Sequence, residues 1–316
     1  MLNNPTYPAD LSATVHALKA AADPTRLRLL TLLSHGELAV HEICEVLAQS
    51  QPRVSRHLRL LTEAGFLDRF REQQLVYYRA PVEGQGRAWW ELLRQMLDGA
   101  DPQLERDRER MGVVIAERAR AAAAELGADA AAEAGSDAAD AAADLSAVVL
   151  EELGPVGIGA LLDVGTGTGR MLEVLGRRAQ HAVGVDISAP ALKLARTRVH
   201  GAGLAHVEFH RGDMYRLPSS DARFDLVNLD RVLAGAERPE AALREAARTL
   251  KAGGRLLIVD AWDDFAARDG NPLLLLRRWI TAAGLAAQRL LPCELESGHY
   301  LIALAARPAA QAGVAA

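Results

Sequence analysis

Ten residues, LLDVGTGTGR at 161–170, put an acid and three glycines where an apolar run passes into a helix-forming one. Glycine lets a backbone approach a ligand closely, and the first N–H groups of the following helix are free to donate to it. The spacing is G-x-G-x-G, not the G-x-G-x-x-G of dinucleotide-binding turns. A second apolar run, AVGVD, ends at Asp186, about twenty residues on, where a carboxylate can hold both hydroxyls of a ribose. A third, within VEFHRGDMYRLP, is followed by Asp213 and Met214. Acids at strand ends around a glycine-rich turn suit a nucleoside-like ligand. A Rossmann-type core without a ligand is the plainer alternative.

A different chemistry is written in SQPRVSRHLRLLTEAGFL at 50–67. With Ser50 as N-cap and Pro52 in the first turn, the spacing predicts a helix whose Val54, Leu58 and Leu61 face inward. Gln51, Arg53, Ser55, Arg56 and Arg59 then fall on the exposed side, with His57 near its edge. Arginine can fork onto guanine or clamp phosphate, and glutamine can read adenine, so this face suits double-stranded DNA. A solvated basic helix is the bland reading.

The elements that must position these residues can be read on either side. Asp23-Pro24 is a helix start, with Leu27, Leu30 and Leu33 on one face and Gly36 after its end. A short helix over 39–48 would bury Val40, Ile43, Cys44 and Leu47. After Gly65, FLDRFR and LVYYRA alternate as a hairpin joined near residues 72–74, and Arg69, Arg71 and Arg79 would give this wing a positive edge. Further on, FDLVNLD and GGRLLIVD read as a fourth and fifth strand flanking the helix PEAALREAARTL. Strand and helix in that rhythm imply a doubly wound parallel sheet. The expected fold class is an α+β winged helix-turn-helix domain followed by an α/β Rossmann-like domain.

Composition bounds these readings. The 316 residues carry a formal net charge of -5, so attraction to DNA must come from a local patch. The two cysteines, Cys44 and Cys293, lie far apart, which argues for a reducing cytosol rather than a disulfide framework. MLNNPTYPAD has no basic or apolar segment of an export signal, and PLLLL at 272–276 is too short to span a bilayer. A cytoplasmic protein with no membrane association is expected. From residue 120 to 152 the chain is mostly Ala, Asp and Glu, which reads as frayed helix and acidic linker. The expected division is 1–100, a linker over 101–153, and 154–310.

ADPTRLRLL, ELAVHEICEVLAQSQPRVSRHLRLLTEAGFL and the hairpin together resemble the ArsR/SmtB family of winged-helix repressors. The resemblance implies a homodimer on a palindromic operator, released by a ligand. RAWWELLRQML at 87–97 would then offer Trp89, Trp90, Leu93, Met96 and Leu97 to a dimer seam, or to the core. Metal-sensing relatives carry two cysteines in an ELCVCDL-like stretch; here Ala39 and His41 stand at those positions, so no metal site is expected.

The set DVGTGTG, Asp186, Gly212-Asp213-Met214 and FDLV…LKAGGRLLIVD resembles class I S-adenosylmethionine-dependent methyltransferases over roughly 160–307. By that resemblance Asp163, Gly165, Thr166, Gly167, Gly169, Asp186, Ile187, Asp213, Met214 and Asn228 serve the ligand. Asp163 and the glycines would surround the methionine part, Asp186 the ribose, and Asp213 with the Met214 backbone the adenine. The acceptor side is thin. An LHxVLHYL-like stretch common in such fusions is here LDRVLAGAE, offering only Asp230 and Arg231, and Trp262 and Phe265 are the only large side chains placed to cover a substrate. The expectation is a repressor that senses S-adenosylhomocysteine or S-adenosylmethionine. The alternative is an active methyltransferase, with Asp230 its catalytic residue, fused to an autoregulatory DNA-binding domain. A switch at Cys44 is a third reading, set back by that residue's core-facing position.

Overall fold

The computed structural model describes residues 10–72, 74–127, 136–268 and 270–309. The chain forms two compact units, Met1–Arg120 with Gly203–Ala205, and Ala121–Ala202 with His206–Ala316.

The first unit opens with a helix absent from the sequence reading, α1 (Leu11–Ala21), capped by Asp10, whose carboxylate accepts the Ala13 N–H at 2.7 Å. Helix α2 (Pro24–Leu33) starts as expected: Asp23 accepts the Arg26 N–H at 3.1 Å and Pro24 occupies the first turn. Its core face is Leu29, Leu30 and Leu33 with Leu32, and Leu27 is only half-buried, so the apolar stripe is rotated from the expected one. Then come β1 (Leu38–Ala39), α3 (Val40–Leu47) and α4 (Gln51–Glu63). Val46 is buried on α3 beside Ile43 and Leu47, while Val40 and Cys44 are half-buried. Strands β2 (Asp68–Glu72) and β3 (Leu75–Arg79) form the wing, in register Phe70↔Tyr77, and β1 pairs with β3 to give the order β1-β3-β2. The Phe70 and Tyr77 rings stack with centroids 5.6 Å apart.

Helices α5 (Gly84–Arg94) and α6 (Pro102–Leu126) follow. Of the stretch 120–152 expected as frayed helix and acidic linker, 128–135 lie outside the described residues. Helix α6 runs 25 residues and buries Met111, Val114 and Ile115 in the core of the first unit. Two ion pairs hold it there. Arg28 donates to both carboxylate oxygens of Asp107 at 2.6 and 2.7 Å, and Arg118 reaches Glu42 at 3.2 Å. Glu42 also accepts the Ala39 N–H at 2.7 Å. The apolar anchors of α6 are few and spaced along one face.

In the second unit, α7 (Ser136–Leu153) buries Leu145, Val149 and Leu153. Seven strands then build one sheet: β4 (Ile158–Val164), β5 (Ala179–Asp186), β6 (Val207–Arg211), β7 (Phe224–Asp230), β8 (Leu250–Ala261), β9 (Ala286–Leu295) and β10 (Gly298–Ala306). Their order is β6-β5-β4-β7-β8-β10-β9; the first five run parallel, and β10 lies antiparallel between β8 and β9. The flanking helices are α8 (Arg170–Gly176), α9 (Ala189–Gly201), α10 (Pro239–Thr249), α11 (Trp262–Ala266) and α12 (Pro272–Ala282). This is the expected doubly wound α/β sheet, extended by an edge hairpin that the sequence reading did not resolve. Successive strands are added on one side of β4 as far as β6 and then on its other side from β7, so the parallel carboxyl ends beside β4 open a crevice.

Candidate functional site

The carboxyl ends of β4, β5 and β6, with the loop after β7, enclose a cleft of about 520 Å3, within the range of small-molecule sites. Gly165, Asp186, Ile187, Asp213 and Met214 line one side of it, with Arg231, Val232 and Glu237 opposite. The turn after β4 needs its glycines. Gly165, Gly167 and Gly169 all take positive φ, at 68°, 53° and 80°, a region costly for other L-residues. A Cβ on Gly165 would collide with Val232, and one on Gly169 would come within 3.0 Å of Ala195 on α9. Asp186 ties the turn down: one carboxylate oxygen accepts the Gly167 N–H at 2.8 Å and the other accepts the Ser188 N–H at 2.8 Å. Asp213 accepts the Tyr215 N–H at 2.9 Å, which fixes the loop after β6.

Three of the expected contact residues lie beneath this surface. Asp163 is buried, accepting the Thr166 hydroxyl and the Asn228 amide, each at 2.6 Å. Thr166 and Asn228 are buried as well. They brace the turn from below instead of lining the cleft, because Asp163 alternates inward from the last strand position. Burial pushes the Asp163 carboxyl up to about 7; the Thr166 and Asn228 hydrogen bonds pull it down, and Asp230 and Asp186 push it up. Asp260, at the end of β8, is likewise raised to about 7 by burial, against the backbone N–H of Leu233. Both carboxyls lie behind the cleft, fully buried, and not in its lining.

Asp230 closes β7 with its side chain 10% exposed, paired with Arg170 at 3.0 Å and with Arg231 at 3.9 Å. Arg231 itself stands at φ 55°. Phe265, expected to cover a substrate, is fully buried against Trp279 with ring centroids 5.5 Å apart. Trp262 lies at a separate small cleft with Cys293 and Tyr300. Sequence reasoning missed Tyr215, Val232 and Glu237 as wall residues. The loop after β7 carries no recurring spacing that would have marked them.

On the first unit, α4 presents Gln51, Arg53, Arg56 and Arg59 to solvent and keeps Ser55 half-buried. Arg59 lies 3.8 Å from Glu63. Ser50 occupies the N-cap position without a side-chain hydrogen bond to the helix. His57 turns from this face: its Nδ1 lies 3.7 Å from Asp23, and its pKa is lowered, chiefly by burial. Arg69 and Arg71 are exposed on β2. Arg79 is not on the positive edge; it is 12% exposed, bonded to Glu37 at 2.9 Å and set 5.0 Å over the Phe70 ring. Cys44 is half-buried with its thiol pushed up by burial, and His41 is exposed. Among the described residues no group of three or more His, Cys, Asp or Glu could hold a metal ion, and no helix is long and apolar enough to cross a membrane.

Residues 23–69 match the family described as bacterial regulatory protein, arsR family, and residues 162–258 match the methyltransferase domain. The chain joins an arsR-family regulatory domain to a methyltransferase domain. The arsR-family domain is similar to the arsenical resistance operon repressor of Escherichia coli (strain K12), 47% identical over 66 residues, 21% of this chain and 56% of that protein. The arsenic resistance transcriptional regulator ArsR1 of Pseudomonas putida is 48% identical over 66 residues, again 21% of this chain and 52% of the relative. The methyltransferase domain is similar to the ubiquinone/menaquinone biosynthesis C-methyltransferase UbiE of Ectopseudomonas mendocina, 35% identical over 119 residues, 36% of this chain and 44% of the relative. The chain thus spans about half the length of the curated relatives it matches. In the methyltransferase domain the match at 162–258 contains the glycine turn, Asp186, Asp213 and the β7 loop, so the cleft belongs to the matched segment.

Proposed function

We propose that this protein is a DNA-binding transcriptional repressor whose methyltransferase domain senses S-adenosylhomocysteine or S-adenosylmethionine. The observation that carries the reading is the state of Asp230. It is the acid placed to serve an acceptor, and it is nearly buried and held by Arg170 at 3.0 Å. A carboxylate so paired is a poor base, because proton uptake would break a charge-assisted hydrogen bond. The cleft wall that would hold the adenosine and amino-acid parts is meanwhile intact at Gly165, Asp186, Asp213 and Met214. A binding site kept whole beside an unusable acceptor side suits a sensor.

Exposed apolar residues support the homodimer. Leu11 and Leu18 on α1 and Leu92 and Met96 around α5 stand open to solvent, with Leu11 at 81% and Met96 at 78% exposure. Trp90, by contrast, is in the core. Two copies would then carry α4 to two operator half-sites, as the twofold geometry of helix-turn-helix dimers requires.

The test begins with selection of bound duplexes from a random pool on the purified protein. The selected duplex is then titrated with protein in the presence of S-adenosylhomocysteine, of S-adenosylmethionine, and of neither. The expected result is selective duplex binding changed at least about fivefold by one of the two ligands. Unchanged affinity at saturating ligand overturns the sensor. Turnover of S-adenosylmethionine abolished by Asp230→Ala would instead establish the enzyme.

A further inference from the structure

We infer that the backbone N–H groups of Gly235 and Glu237 are hydrogen-bond donors of the cleft, and that Arg268 is the positioning residue that aims them at an oxygen acceptor of the S-adenosyl ligand. The inference rests on the reading of the same cleft as an S-adenosyl site and assigns part of its wall.

The loop after β7 supplies the donors. Leu233 and Ala236 are buried, and the Ala236 N–H closes a tight turn on the Leu233 carbonyl at 3.1 Å. Gly235 lies within that turn and Glu237 follows it; both are exposed and both line the cleft. Neighbouring N–H groups of the loop are already taken. Asp260 accepts that of Leu233 at 3.1 Å, and the Tyr215 hydroxyl accepts that of Arg238 at 3.2 Å. Among the described residues, the N–H groups of Gly235 and Glu237 donate to no protein acceptor.

Arg268 supplies the aim. Its Nε and Nη2 donate to the Ala234 carbonyl at 2.9 and 2.6 Å, and Nη2 also donates to the Ala236 carbonyl at 2.6 Å. Those carbonyls belong to the same peptide units as the N–H groups of Gly235 and Glu237. No described peptide bond is cis, and in a planar trans peptide the N–H points opposite to the C=O. Two carbonyls gathered on one guanidinium therefore turn both N–H groups away from it. The guanidinium lies behind the loop, 5.4 Å from the ring centroid of Trp279, which is buried against Phe265. Arg268 is not in the cleft lining, whereas Gly235 and Glu237 are. The core aromatic pair thus backs the arginine, the arginine backs the loop, and the loop faces the ligand. A planar fork of donors suits two carbonyls at once, which the single point charge of a lysine does not reproduce.

The ligand side fits such donors. The lining acids Asp186, Asp213 and Glu237 can only accept when ionised, so acceptors on the ligand call for N–H groups. Backbone N–H groups close together in a turn form a concavity that suits an anion or a polar oxygen. An S-adenosyl compound carries such oxygens at two places, the carboxylate of its amino-acid chain and the ribose.

The experiment follows amide exchange residue by residue in the full chain, without ligand and with saturating S-adenosylhomocysteine, in wild type, Arg268→Ala and Arg268→Lys. Calorimetric titration with S-adenosylhomocysteine and S-adenosylmethionine runs beside it. In wild type the Gly235 and Glu237 amides are expected to exchange at least about tenfold more slowly with ligand bound. Arg268→Ala is expected to abolish that slowing and to weaken the ligand by about tenfold, with Arg268→Lys in between. The amides of Ala283 and Leu285, bonded to the Trp279 and Ile280 carbonyls at the end of α12, are expected to exchange as in wild type. Methylthioadenosine keeps the ribose and lacks the amino-acid chain. Slowing by it as well assigns the ribose oxygens, and slowing by S-adenosylhomocysteine alone assigns the carboxylate. Ligand bound to wild type without slowing at the two amides overturns the inference and leaves the sensor standing, whether or not Arg268→Ala folds. Slowing that survives in Arg268→Ala, or faster exchange at Ala283 and Leu285 in that variant, overturns the role given to Arg268, since a merely structural arginine does one or the other. Binding of neither S-adenosyl compound removes the sensor reading and this inference together.

Discussion

The two units of this chain treat buried charge in opposite ways. In the first, each buried acid meets an arginine: Asp107 with Arg28, Glu42 with Arg118, Glu37 with Arg79. The pairs join α6 to α2 and α3, and the wing to the segment before α3. In the second, Glu208 lies beside His181 and His210, but Asp163 and Asp260, the two beneath the cleft, meet neutral partners, Thr166, Asn228 and the Leu233 backbone, and their pKa values rise to about 7. Paired charges hold geometry. Acids without a cation beside them stay largely protonated, and these two lie beneath the cleft. The contrast separates a rigid platform for a DNA-facing helix from a site whose charge balance is still open.

The largest effect should come from breaking a pair. Asp107→Ala leaves Arg28 without its bidentate partner in a nearly buried position, and losses of about 3–5 kcal/mol follow such removals. Chemical denaturation should show the first unit unfolding earlier, while S-adenosylhomocysteine still binds the second. A loss below about 1 kcal/mol would mean that the pair is not what holds α6.

Next is the cleft. Asp186→Asn swaps a carboxylate that accepts two backbone N–H groups for an amide that can satisfy only one. Hydrogen bonds to charged groups are worth about 1.5–3 kcal/mol, so affinity for S-adenosylhomocysteine should fall by about 10- to 100-fold in a direct titration. Unaltered affinity would move the ligand away from the end of β5.

Smaller again, and sharper as a comparison, are two arginines of the first unit. Arg56→Ala should weaken binding to the selected duplex by about 1–3 kcal/mol or, if it meets phosphate, lower the salt slope by about 1, with stability unchanged. Arg79→Ala should act the other way round, destabilising the wing and affecting DNA only through it. If Arg79→Ala proves the more selective DNA defect, the wing edge has been misread.

Much of this was legible before any coordinates. The Asp23-Pro24 start, the inward Val54, Leu58 and Leu61, and the glycine turn with Asp186 all rest on short-range rules of capping, period and φ, which act within a few residues. What escaped depends on distant partners. Nothing near Arg79 in sequence announces Glu37, and nothing near Asp107 announces Arg28 from 79 residues away. The burial of Asp163, Thr166 and Asn228 beneath the turn, and of Phe265 against Trp279, likewise depends on which face of the sheet each strand end presents. That α6 docks on the first unit also escaped, since its sparse anchors Met111, Val114 and Ile115 find partners far away in sequence.

A pH-dependent effect tests the open charge itself. Asp163 has its pKa raised from 3.8 to about 7, chiefly by burial, so between those values the folded protein holds a proton that the unfolded chain has released. Stability must then be fullest below about pH 4 and decline as pH rises towards 7, at up to about 1.4 kcal/mol per pH unit for one group, and level off above it. Asp260 contributes over the same window, so the two act together. Asp163→Asn can keep both hydrogen bonds, because its oxygen still accepts from Asn228 while its amide donates to a Thr166 hydroxyl that rotates to accept. The variant should therefore halve the slope of unfolding free energy between pH 5 and 7 without lowering stability at pH 5, and exceed wild type above pH 7. A full slope in the variant would mean that Asp163 is already ionised in the folded protein, stabilised by its hydrogen bonds as securely as Asp107 is by Arg28, and the contrast between the two units would vanish.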